Sequence, residues 1–133
     1  MARVHGKDLS SLSVDDAGGT ARNLLNETIG IDFSTSADTH DTTTMGDDWK
    51  EFTAGLKGGD TFTHEVFYNN AAATGTAAVY RGRVGVAGSF SFSDGTLTAS
   101  METIVTNVSE SYSVADMIKI TATHQVTGAV TFN

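Results

Sequence analysis

From Ile118 to Phe132 the chain alternates almost without a slip. Ile118, Ile120, Ala122, Val126, Val130 and Phe132 fall at one parity, interrupted only by His124 and Gly128. Lys119, Thr121, Thr123, Gln125, Thr127 and Thr131 fall at the other. Successive side chains of a strand point to opposite faces of a sheet, so a period of two predicts a long strand with one dry side. Little chain is expected beyond it to cover its edge. Proline, a common guard of exposed edges, is absent from the whole sequence. Such a strand invites pairing with a neighbour or a second copy, which points to an assembling β-protein rather than a solitary enzyme.

Further strands follow from the same period. Val84, Val86, Gly88, Phe90 and Phe92 alternate up to Asp94-Gly95, and Leu97, Ala99, Met101, Thr103 and Val105 alternate beyond it. Asp-Gly between two alternating runs signals a tight hairpin, because a type I′ turn needs positive φ at both central positions. A two-residue loop pairs Phe92 with Leu97, Phe90 with Ala99, Gly88 with Met101, Val86 with Thr103 and Val84 with Val105. Every apolar position then shares a face, with Phe90 and Phe92 buried. Ile29, Ile31, Phe33 and Thr35 give another half-buried strand, and Phe62, His64, Val66 and Tyr68 one more after Gly58-Gly59-Asp60. Val4 to Val14 reads as a short strand before a turn at Asp15 to Gly19, and Thr20 to Asn26 as a helical turn or a loop. Helix propensity is confined to the alanine-rich Asn69 to Val79, weakened by Gly75. Between Ala37 and Trp49 no period survives, which predicts a long polar loop. The expected fold is all-β: one domain over residues 1–133, a β-sandwich or partial barrel with at most one short helix.

Composition narrows the function. Asp and Glu outnumber Lys and Arg sixteen to eight, a net charge of −8, and no basic stripe is present to grip nucleic acid. No apolar run is long enough to cross a membrane as a helix, and the first residues lack the apolar stretch of a signal peptide. With zero cysteines the chain has neither disulfides nor thiolate metal ligands. His5, His40, His64 and His124 are scattered, and the two on apolar strand faces read as satisfied core or interface histidines. Asp38-Thr39-His40-Asp41 and Asp47-Asp48 offer carboxylates, but their spacing does not fit the EF-hand loop. There is no G-x-S-x-G elbow and no Walker-type glycine loop. The expectation is a non-enzyme without cofactor or metal.

Three stretches taken in order resemble the major tail tube proteins of long-tailed, siphovirus-like bacteriophages. They are Asp16-Ala17-Gly18-Gly19-Thr20-Ala21-Arg22-Asn23-Leu24 with the strand after it, then Asp41-Thr42-Thr43-Thr44-Met45-Gly46-Asp47-Asp48-Trp49-Lys50 running on to Gly55-Leu56-Lys57-Gly58, then Tyr112-Ser113-Val114-Ala115-Asp116 leading into the strand that ends Gly128-Ala129-Val130-Thr131. A Thr-Thr-x-Gly-Asp loop, a Gly-Leu element and a closing Gly-x-Val-Thr strand recur in that family in this order. The alanine-rich segment from Asn69 to Gly85 departs from its pattern. The resemblance implies subunits in rings, commonly of six, stacked into a hollow tube within the virion, assembled in the host cytoplasm. Tape measure, tail-tip and terminator proteins are the implied partners, and DNA passes through without specific binding. The loop carrying Asp41, Thr43, Met45, Gly46, Asp47, Trp49 and Phe52 is expected to reach adjacent subunits. Asp32, Glu65 and Glu102, at polar positions of the strands, are candidates for an acidic lumen that repels phosphate. A related head–tail joining protein, or a carbohydrate-binding adhesin module, is the alternative; the latter needs exposed aromatics, of which one tryptophan and three tyrosines are the main supply.

Overall fold

A computed structural model describes residues 3–133. Nine strands and one α-helix follow in the order β1 (Ser11–Asp15), β2 (Ala21–Asn23), β3 (Thr28–Asp32), β4 (Thr35–Asp41), β5 (Phe52–Gly59), β6 (Thr61–Phe67), α1 (Thr76–Arg83), β7 (Ala87–Ser93), β8 (Thr98–Ser111) and β9 (Lys119–Phe132). Seven of them form one antiparallel sheet in the order β2-β1-β7-β8-β9-β6-β3, and β4 and β5 form a separate two-stranded ribbon. The sheet is open, with free edges at β2 and β3.

One face of the sheet is the core. Leu12 and Val14 of β1, Phe90 of β7, Met101 and Val105 of β8, Ile120, Ala122 and Val126 of β9, and Phe62 and Val66 of β6 are all buried there. The long alternation in β9 holds from Ile120 to Val126, and Gly128, at φ +75°, ends it. Helix α1 covers this face with Thr76, Val79, Tyr80 and Arg83, the i, i+3, i+4, i+7 stripe of an amphipathic helix. Thr76 ties the helix to β6 by donating to the Phe67 carbonyl at 2.7 Å while accepting from the Asn69 amide at 2.9 Å.

The helix therefore begins seven residues later than the alanines suggest. Asn69 Oδ1 takes the Ala71 amide and Ala73 adopts φ +66°, so Asn69 to Gly75 is turn structure. A stripe packed on the core outweighs propensity in so short a helix. Val84 and Val86 consequently leave the strand expected of them: Val84 closes α1 and meets Val105 only in an isolated parallel bridge. The β7–β8 hairpin forms with its register moved by two residues, Phe92 opposite Ala99 and Phe90 opposite Met101. An even shift keeps every side chain on its expected face. The turn takes four residues because the Asp94 carboxylate accepts from both the Thr96 and Leu97 amides, with Gly95 alone at positive φ. Leu97 is left exposed and Phe92 half-buried, whereas Phe90 is fully buried.

A polar chain runs through the core, and its direction can be worked out. Thr28 Oγ1 donates its one proton to the Leu24 carbonyl at 2.8 Å, so it accepts from His64 Nε2 at 2.9 Å. His64 Nδ1 is then the acceptor for the Tyr80 hydroxyl, whose oxygen accepts from His124 Nε2 at 3.1 Å. His124 Nδ1 in turn accepts from Thr103 Oγ1 at 3.0 Å, and Thr103 accepts from Arg83 at 3.4 Å. Both imidazoles are neutral Nε2–H tautomers, and burial holds each down at about 3. Arg83 is itself fully buried and also donates to the carbonyls of Val86 and Asp15. Gly88 makes room for it, since a Cβ there would lie 2.9 Å from the guanidinium carbon. The expectation of satisfied core histidines at 64 and 124 is met.

Candidate assembly surfaces

The segment expected to be an irregular loop is a hairpin arm with a short tip. β3 and β6 pair through Asp32 opposite Thr63, the chain bends, and the same two chain segments pair again as β4 and β5. At the bend Asp60 accepts from Ser34 Oγ at 3.1 Å and from Ser36 Oγ at 2.9 Å. Short polar residues bond across the bend, and only the base of the arm stays on the sheet, where Gly59 lies against Val126 of β9. The period of two failed to reveal β4 because its seven residues, Thr35 to Asp41, are exposed on both faces. A bulge between Ala37 and Thr39 breaks the pattern further.

The tip is built by local hydrogen bonds. The Thr43 hydroxyl, and after it the Thr43 amide that donates at 2.9 Å, holds the Asp41 carboxyl below the usual range. Thr43 Oγ1 accepts from the Glu51 amide at 2.8 Å and closes the base of the tip. Asp47 caps Thr44, accepting from its amide at 2.8 Å and its hydroxyl at 3.1 Å, and Met45-Gly46 bulge out between them. The Thr-Thr-x-Gly-Asp stretch is thus a self-capped turn. It presents Met45, fully exposed, beside Trp49 at 85% exposure and Phe52 at 59%. Leu56, also far out of contact, belongs with them and was missed; its signal is a lone large apolar residue among Gly55, Lys57, Gly58 and Gly59. A two-stranded ribbon is marginal in water on its own, and this one holds its large apolar groups in solvent.

Asp32, Glu65 and Glu102 lie on one continuous surface, the side of the seven-stranded sheet opposite the core. Asp32 stands opposite Thr63, Glu65 opposite Thr121, and Glu102 opposite Ser89, whose hydroxyl donates to it at 2.6 Å. Ser91, Ser100, Thr123 and Gln125 share that face, with Ile104 opposite Gln125 and, near its end, Phe67 opposite Lys119. The face is mostly hydroxyl and carboxylate.

A second exposed apolar group sits in the turn between β8 and β9, where Tyr112, Val114 and Met117 project. Beside it Arg81 pairs with Glu110 at 2.7 Å and lies over the Tyr68 ring. Tyr112 to Asp116 carries part of the family resemblance, but with no period along it nothing in the sequence marked these side chains as an exposed group. Among the described residues no three His, Asp or Glu gather as a metal site, and no helix is long and apolar enough to cross a membrane.

No protein-family description matches the chain, and no curated protein matches it. Solved structures do. The tail of an empty gene transfer agent particle, reconstructed with C6 symmetry, superposes with a TM-score of 0.74 at 17% identity, over 98% of this chain and 99% of that one. The virion of a native gene transfer agent particle gives the same values. The SPP1 tail tube superposes with a TM-score of 0.78 at 12% identity, over 98% of this chain and 79% of that one. At such identities the likeness is one of fold: the chain shares its fold with the subunits of these tails and of the SPP1 tail tube.

Proposed function

We propose that this chain is a structural subunit whose copies close into rings, sixfold by analogy with the C6 tail it resembles, and that the rings stack into a hollow virion tail tube. The observation that carries the reading is the arm. It is a two-stranded ribbon holding Met45, Trp49, Phe52 and Leu56 in solvent, which favours burial against another copy. Contacts around a ring close on themselves, while contacts along the axis repeat without closure, so one subunit suffices to build a filament. Asp41, Thr43, Gly46 and Asp47 shape the tip in this reading, and Met45, Trp49 and Phe52 supply its contacts.

The polar face of the sheet suits the wall of a conduit for DNA. Asp32, Glu65 and Glu102 set a negative potential there, and a lumen that passes nucleic acid must not hold phosphate. Tape measure, terminator and tail-tip proteins are the partners such a tube requires. The subunit has no catalytic part in this scheme. Negative-stain electron microscopy of the concentrated protein tests it. Rings or tubes are the expected result; monomers at every concentration that bind a glycan would replace the reading with the adhesin one.

A further inference from the structure

The core is covered unevenly. Helix α1 lies over one part of it, but along the free edge of β3 the covering stops and a groove of about 650 Å³ opens. Leu9, Leu25, Ile29, Ile31 and Phe92 line it, with Lys7 as its one charged group. Four of the five apolar residues are only half-buried against the core, and Ile29 is exposed. The lining contains no residue of the arm. The arm cannot fold back to fill the groove. Its paired strands hold the tip about 20 Å from the bend at seven residues of about 3.3 Å each, and the bend lies just beyond Ile31.

We propose that this groove receives the arm tip of a second copy of the chain. The proposal rests on the tube reading and adds to it the receiving site. Two features select the occupant. The tip carries the apolar side chains that the groove lacks, Met45 and Trp49, both nearly free of contact. It also carries Asp47 and Asp48 beside them, against a groove whose only charge is the Lys7 ammonium. Apolar burial supplies the attraction, and the charges choose the orientation and reject a tip presented the wrong way round. The turn of Tyr112, Val114 and Met117 is the competing surface. There, Arg81 is already paired with Glu110 and Lys119 with Asp116 at 3.5 Å, so no free cation awaits an acidic tip.

The absence of native cysteine makes the test direct. The double variant Lys7→Cys, Asp48→Cys, both at exposed positions, is assembled and then oxidised. The expected result is a ladder of covalent multimers on a denaturing gel, absent from either single variant. Well-formed tubes without a ladder overturn the proposal and leave the tube reading standing. So does a ladder from the pair Asp48→Cys, Val114→Cys in its place. Failure of the unaltered protein to assemble at all overturns both. As an independent measurement, Lys7→Glu should raise the concentration needed for assembly about threefold or more, the effect of one surface ion pair lost. Adding Asp48→Lys, which leaves the Asp47 cap of the tip intact, should restore assembly, and no recovery in that charge-swapped protein counts against the groove.

Discussion

Acidification should loosen this fold well above the pH at which carboxylates titrate. His64 and His124 are fully buried, and each ring nitrogen already has its partner. A second proton on either ring must go to Nδ1, which accepts from Tyr80 in one case and Thr103 in the other. Burial, together for His124 with the neighbouring His64 and Arg83, lowers both from the ordinary 6.5 to about 3. A histidine lowered in the folded state binds its proton sooner when unfolded. Its stabilising effect is therefore present above the unfolded value and is lost as pH falls from there toward 3. Two such rings give a slope approaching ~2.7 kcal/mol per pH unit, and integration from about pH 7.5 to about pH 5 gives a loss of roughly 4 kcal/mol. Against a typical stability of about 5–15 kcal/mol that is a large share. Urea denaturation of dilute, unassembled protein across this range should show the midpoint falling steeply, and imidazole resonances of both rings should stay unshifted down to about pH 5. An unchanged midpoint, or a folded-state titration of either ring near its ordinary value, would refute the argument.

Three other outcomes are expected. Phe90→Ala should cost about 3–5 kcal/mol in thermal or urea unfolding, and Phe92→Ala less because that ring is only half-buried; equal costs would count against the register. Deleting Asp38 to Asp48 should leave a folded protein, by circular dichroism, that forms no tubes, and in the intact chain Trp49 emission should move to the blue on assembly. Replacing Asp32, Glu65 and Glu102 with lysine should make assembled tubes retain DNA at low salt and release it at high salt. Negligible retention by both parent and variant would remove these residues from the lumen.

The sheet was legible wherever one face is dry. In β6, β7, β8 and β9 the buried residues recur at a period of two, and that pattern alone identifies the strands, their inward faces and the neighbourhood of Asp94-Gly95. It says less about register, because an even slip leaves the pattern intact, and the Asp94 carboxylate decided that question. The helix was misplaced because its residues are held by packing, and alanines at 71–73 advertised a helix the turn around Asn69 forbids. Strand β4 was invisible because no face of it is buried. The tip's apolar residues stood out as misfits in a polar stretch, whereas the groove, assembled from residues 6–31 and Phe92, has no signature along the chain.

The polar chain through the core has ends that cannot exchange roles: a guanidinium only donates and a carbonyl only accepts. Arg83 at one end and Leu24 at the other therefore forbid the reversed arrangement, in which every hydroxyl would turn and both rings would move their proton to Nδ1. The His124 Nε2 proton, bonded to the fully buried Tyr80 hydroxyl, has no local route to water, whereas that of His64 meets Thr28 at the wall of the groove. The first should exchange with solvent only when the core itself opens. It is then a built-in clock for whole-subunit opening, readable in the free protein and again in the tube, and the ratio of the two rates measures how far assembly locks the fold.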